Sequence, residues 1–200
     1  MARVRKDFKI GGVLLHRDYF DLDKSIYPLE YPLDELLINN FLSRGRGVEL
    51  HTGGVVDSQG NGHLFVGHSE AGKSTIVKLW DDEPDAKILS DDRIILRKLG
   101  ERLWMYGTPW HGEGGFVSPD RAPVTRIYFL KKGQKNGLVP QRTAEAVERL
   151  FACSFASFYS AEAVYFSLGF LGEVARAVPC CELSFVPDKR VVEFIQRLDN

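Results

Sequence analysis

Cysteine is scarce in this chain, with only Cys153, Cys180 and Cys181 among 200 residues. An odd count with an adjacent pair does not fit a disulfide framework and lacks zinc-ligand spacing, so the thiols are read as reduced and the protein as cytoplasmic. Net charge is nearly absent too. Twenty-six Lys and Arg face 27 Asp and Glu, a formal charge of -1, so no global basic field invites nucleic acid or a membrane surface. Long apolar runs are also missing. The stretch IGGVLL at 10–15 stops at His16, Arg17 and Asp18, too short for a signal-peptide core and far too short to span a bilayer. Repeats and low-complexity tracts do not occur. What remains is ordinary globular composition, 44% hydrophobic and 26% charged, in a chain long enough for one full-sized domain. Self-association into a homo-oligomer stays open.

Strand-like runs fall at 8–15, 47–56, 63–67, 86–90, 93–98, 103–106, 126–131 and 181–186. The turn-rich DSQGNG at 57–62 predicts a hairpin over 48–67, and Gly100-Glu101 predicts a second over 93–106. Helical periodicity is clearest at 143–152 (Ala144, Val147, Leu150, Phe151) and at 188–198 (Val191, Phe194, Ile195, Leu198). A further helix is expected in LDELLINNFLSRG, within a covering segment at 18–46 that packs on the sheet. Hairpins mixed with helices predict an α/β domain with a mixed, hairpin-rich sheet. Residues 1–200 are read as one unit: the covering segment, a core at 47–131, and C-terminal helices and a strand at 132–200.

The core contains HLFVGHSEAGKST at 63–75. Gly67-x-x-x-x-Gly72-Lys73-Ser74 satisfies the Walker A requirement for a P-loop, in the strand–loop–helix order that its mechanism demands. Glycines let the backbone curl so that the N–H groups of about residues 70–75 point at phosphate oxygens. Lys73 then reaches the outer phosphates of a nucleotide and the Ser74 hydroxyl ligates Mg²⁺. The expected nucleotide-binding residues are Gly67, His68, Ser69, Glu70, Ala71, Gly72, Lys73, Ser74 and Thr75. The blander alternative is a glycine-rich turn with a surface lysine.

Downstream, AKILSDD is an apolar strand ending in Ser90-Asp91-Asp92, fewer than 20 residues after Lys73. That spacing leaves room only for a short helix at about 75–81 and a tight return. Side chains alternate along a strand, so one carboxylate can face a metal and the other an acceptor. Alternatively, the pair simply opens the loop into RIILRK.

A close pairing of P-loop and aspartates, with a hairpin before the loop, resembles the catalytic domain of the HPr serine kinase/phosphorylase family, itself similar to ATP-dependent phosphoenolpyruvate carboxykinase. The match lies in Glu49-Leu50-His51-Thr52-Gly53-Gly54-Val55, in Gly67 to Ser74, and in Leu89-Ser90-Asp91-Asp92. The tail PCCELSFVPDKRVVEFI is similar to the end of HPr-kinase-related proteins. The resemblance implies a kinase that uses ATP and Mg²⁺, with a serine hydroxyl of a protein or peptide as acceptor. Asp91 would be the acid/base, Asp92 a metal or structural partner, and His51 a neighbour of the phosphates, although a strand histidine is also an ordinary core residue. Glu70 replaces the family's loop glycine, and the family's Glu-Val-Arg-Gly stretch has no counterpart, so HPr itself is not the expected acceptor. A nucleotide-binding switch or assembly module without kinase activity is one alternative, and a small-molecule kinase is another.

The segment GTPWHGEGG at 107–115 suits a mobile loop or a close approach to ligand. Trp110 could stack on a base, His111 could touch phosphate, and Glu113 could serve as metal ligand or base; an ordinary surface loop with Trp110 packed inward is the alternative. Arg121, Arg126 and Arg142 are candidates for neutralising transition-state charge.

Overall fold

The computed structural model describes residues 1–16, 29, 31–68 and 70–198. The expected covering segment therefore lies partly outside the described residues, and Ser69 lies outside them altogether. Strands β1 (Ala2–Val4) and β2 (Gly11–Val13) form a separate two-stranded antiparallel sheet, so only part of the expected 8–15 strand is found. Helix α1 (Leu33–Leu42) follows, beside β3 (Val48–Val56).

The main sheet has eight strands. After β3 come β4 (Gly62–Val66), helix α2 (Lys73–Lys78), β5 (Lys87–Ser90), β6 (Arg93–Leu99), β7 (Arg102–Tyr106) and β8 (Arg121–Lys132). The chain ends with β9 (Gly137–Pro140), α3 (Thr143–Ala152), α4 (Ala161–Ala177), β10 (Cys180–Phe185) and α5 (Arg190–Gln196). The sheet order is β4-β3-β6-β7-β8-β10-β9, with β5 on β3, and β8 also pairs with β4. Both expected hairpins, β3–β4 and β6–β7, are present. The sheet is mixed because β8 runs parallel to β4 and β10 but antiparallel to β7.

Strand β3 changes partners along its length. The first half of β3 pairs with β6 and the second with β4 and β5. Both faces of the central strands are covered, which explains their nearly unbroken apolar runs. Leu64, Val66, Ile127 and Phe129 pack with Ala146 and Leu150 of α3 and Leu171 and Val174 of α4. Phe65, Tyr128 and Leu130 face the other way, toward Ile76 and Val77 of α2 and Val191 and Ile195 of α5. Gly53 permits the close seat of α2, since a Cβ there would meet Val77 Cγ2 at 2.5 Å.

Helix α4 has no counterpart among the sequence expectations. Its buried positions 163, 167, 170, 171 and 174 do follow helical spacing, and Ser160 caps it by accepting from the Ala163 N–H at 3.3 Å. A serine at 167 and a glycine at 172 sit on that buried face and disguise the apolar stripe. Among the described residues, no helix is long and apolar enough to cross a membrane.

Candidate functional site

Strand register assembles the site. Both β4 and β5 run antiparallel to β3, so their C-terminal ends emerge on the same side. The loop at 67–72 leaves β4 there, and Asp91 and Asp92 leave β5 beside it. His51 lies just before the β3 residue that pairs with Val66, and the Thr52 N–H donates to the Asp92 carbonyl at 2.9 Å. These parts enclose a cavity of about 510 Å³ lined by His51, Glu70, Gly72, Lys73, Ser74, Thr75, Asp91, Asp92, Gly112, Glu113 and Lys132.

The loop turns into α2 through Gly72, whose φ of 100° is left-handed and favours glycine; a Cβ there would also meet Phe185 at 2.8 Å. The Lys73 ammonium reaches back to donate to the carbonyls of Gly67 at 2.8 Å and His68 at 3.1 Å. Those two residues and Ala71 shape the loop without lining the cavity. Burial pushes the Lys73 pKa down, opposed by Cys153 and Asp92 nearby. Glu70 holds a left-handed φ of 66°, so the backbone keeps a glycine-type conformation at the position where a carboxylate stands.

The two aspartates have different surroundings. Asp91 is buried, its Oδ1 accepting from the Gly112 N–H at 2.9 Å and its Oδ2 from the Gly114 N–H at 2.7 Å. Asp92 is half-buried, with Oδ1 3.2 Å from His51 Nε2 and Oδ2 3.4 Å from Arg93 Nε. The hydrogen bond with His51 holds the Asp92 pKa below the usual carboxylate range, against burial and with help from Arg93. Both aspartates lie in the bend after β5 rather than on the strand, and both line the same cavity, so their different partners come from the bend and not from strand alternation.

The glycine-rich segment wraps over Asp91 rather than standing free. Its glycines allow this approach, because a Cβ at position 114 would come within 2.6 Å of Asp91 Oδ2. Trp110 is turned inward: its Nε1–H donates to Asp34 Oδ2 at 3.0 Å and Arg93 lies over its ring. His111 is exposed and outside the cavity lining. None of Arg121, Arg126 and Arg142 lines the cavity. Arg121 lies over Trp104 at 4.7 Å, and Arg142 pairs with Glu145 at 3.7 Å.

Among the described residues a second lysine joins Lys73 in that lining, Lys132, which sequence reasoning passed over. It ends β8, and only the parallel β4–β8 pairing carries that strand end to the loop. A polar residue closing an apolar strand was the available signal, but it does not say which neighbour the strand will have.

No protein-family model matches the chain, and no curated protein matches it. Among solved structures, the Hpr(Ser) kinase/phosphatase from Coxiella burnetii is similar over 76% of this chain and 95% of that chain, with 14% identity and a TM-score of 0.44.

Proposed function

We propose that this chain is an ATP-dependent phosphotransferase that uses Mg²⁺ and takes as acceptor a serine hydroxyl of a protein or peptide. The observation that carries this reading is the meeting of Lys73, Ser74, Asp91 and Asp92 around one cavity of a size suited to a nucleotide. The acceptor class follows from the sequence resemblance at residues 49–55, 67–74 and 89–92.

The lining chemistry fits a metal-bound nucleotide better than a bare one. Glu70, Asp91, Asp92 and Glu113 would repel an uncompensated triphosphate, and Lys73 and Lys132 offset only part of that charge. Among the described residues, no three His, Cys, Asp or Glu side chains gather into a ligand set. Mg²⁺ suits such a site, since it commonly takes one or two carboxylates and completes its shell with phosphate oxygens and water. Ser74 and Asp92 would hold it, with Glu113 as the further candidate, and it would supply neutralisation of charge on the transferred group.

Lys73 would exchange the carbonyls of Gly67 and His68 for the outer phosphates. Asp91 would take the proton of the acceptor hydroxyl on a carboxylate oxygen. Each of its oxygens accepts one backbone N–H and retains a further lone pair, so the loop orients the base without saturating it. His51, paired with Asp92, would stand beside the phosphates.

A second reading, a nucleotide-binding switch without turnover, is favoured by the same two hydrogen bonds, which would make Asp91 an anchor for residues 112–114. The deciding experiment combines γ-labelled ATP and serine peptides with calorimetry. Lys73→Met is expected to weaken ATP binding by at least tenfold and AMP binding far less; equal losses would refute the site. Asp91→Asn is expected to abolish label transfer with ATP affinity within about twofold of wild type, since a general base acts on the transition state. Transfer that survives in Asp91→Asn would overturn the role of base.

A further inference from the structure

Behind the candidate site, three carboxylates share one guanidinium. Arg93 Nη1 lies 2.9 Å from Glu35 Oε2 and 3.4 Å from Glu49 Oε1, while Arg93 Nε lies 3.4 Å from Asp92 Oδ2. The guanidinium also covers the Phe155 ring at 4.2 Å. One positive charge cannot compensate three carboxylates, and a fourth, Asp34, stands on α1 next to Glu35. The group least able to carry an unpaired charge is the deepest one. The Glu49 side chain is 0% exposed, against 25% for Glu35 and 27% for Asp92. Its contact with Arg93 is the longer of the two at Nη1, and its second oxygen, Oε2, is buried without a hydrogen-bond partner. An ionised carboxylate in that position is far costlier than a neutral acid, whose proton removes the need for a counter-charge.

We propose that Glu49 is a buried proton switch that sets how Arg93 is shared with Asp92 at the candidate site. Neutral Glu49 leaves Arg93 to Glu35 and Asp92. Ionised Glu49 competes for Arg93 from the β3 side, loosens its hold on Asp92 Oδ2, and leaves Asp92 more fully charged toward His51 and the cavity. The groups that face Glu49 fit this role. Arg93 on β6 opposes the proton, Glu35 and Asp34 on α1 favour it, and the neighbouring segment and α4 contribute Phe155, Ser157 and Ser167, none of which titrates. Burial is the largest influence and, against the pull of Arg93, pushes the Glu49 carboxyl up to about 7. The switch therefore works across neutral pH. Its existence is independent of the proposed phosphotransfer, and only its consequence for catalysis rests on that reading.

The test is a pH titration by NMR of the full chain, labelled at the glutamate side-chain carboxyls and the arginine Nε positions. One carboxyl resonance, absent from Glu49→Gln, is expected to titrate with a midpoint of about 7. The Arg93 Nε–H resonance is expected to shift with the same midpoint, and to stay fixed in Glu49→Gln. Glu35→Gln provides a second variant that leaves Glu49 in place. It removes a repelling charge and frees Arg93, so the Glu49 midpoint should move down. A Glu49 resonance that stays ionised throughout would overturn the proposal. So would an Arg93 signal indifferent to it, or a midpoint unmoved in Glu35→Gln. Neither resonance depends on nucleotide, so failure to bind ATP would sink the proposed function and leave the switch standing.

Discussion

Alanine at position 114 would test how the glycine-rich segment holds the acidic pair. A Cβ there would sit 2.6 Å from Asp91 Oδ2 and 2.7 Å from Phe116 Cδ2, both well inside normal contact. The backbone at 114 and the Asp91 carboxylate must separate by several tenths of an ångström, which stretches a 2.7 Å hydrogen bond toward the limit of being one. Hydrogen bonds to charged groups contribute about 1.5–3 kcal/mol, and overpacking typically costs about 1–3 kcal/mol. A loss of roughly 2–3 kcal/mol is reasonable, because relief of the clash and loss of the bond overlap. For a domain of this size that corresponds to a fall in Tm of roughly 4–12 °C. Gly112→Ala should be milder, since its Cβ would lie 3.0 Å from the same oxygen. Gly137→Ala meets nothing within 4 Å and should be nearly neutral. Thermal unfolding of the three variants measures the order directly. In the same proteins, label transfer should fail in Gly114→Ala while ATP binding persists. A Tm for Gly114→Ala within about 1 °C of that for Gly137→Ala would refute the account of Asp91 being held by this loop.

Two further outcomes follow from local geometry. The left-handed φ of 66° at Glu70 strains a residue with a Cβ by about 1 kcal/mol, so Glu70→Gly should raise Tm by a few degrees. Removing that carboxylate should also tighten ATP binding several-fold at low salt and less at high salt; calorimetry showing weaker binding would mean that Glu70 holds a cation. Burial opposes the charge on Asp57, but hydrogen bonds with His63 and Asn61 outweigh it and bring the carboxyl from 3.8 down to about 2. Because the folded value is the lower one, this stabilisation is complete above about pH 4 and is lost as pH falls toward about 2. Asp57→Asn should therefore be less stable than wild type by about 1–3 kcal/mol at neutral pH, with the gap closing on acidification. A gap that stays constant in urea unfolding down to low pH would disprove the assignment.

Much of the local architecture was determined by the sequence itself, because its causes lie within a few residues. The turn formers at 57–62 and 100–101 make the β3–β4 and β6–β7 hairpins. Helical spacing at 143–152 makes α3, and Gly72, Lys73 and Ser74 close a strand and open a helix wherever that strand is placed. The candidate site was legible to the same depth. Lys73, Ser74, Asp91, Asp92 and Glu113 were singled out by residue type and spacing and His51 by the family resemblance, and all line one cavity. The rest depended on contacts between segments far apart in the chain. Parallel pairing of β8 with β4 brings Lys132 to the loop, and no local signal specifies the partner of a parallel strand. Arg93 looked like the first residue of a strand, yet it joins Glu35, Glu49 and Asp92 from three other segments. The loop at 107–115 read as a mobile loop or a close approach to ligand, with a surface loop and Trp110 packed inward as the alternative. No local signal said that a buried carboxylate 21 residues away from Gly112 draws it closed. In each case the deciding quantity is the pairing or desolvation of a charge. That is set by which distant groups the folded chain surrounds it with, and so it exists only once the tertiary structure has formed.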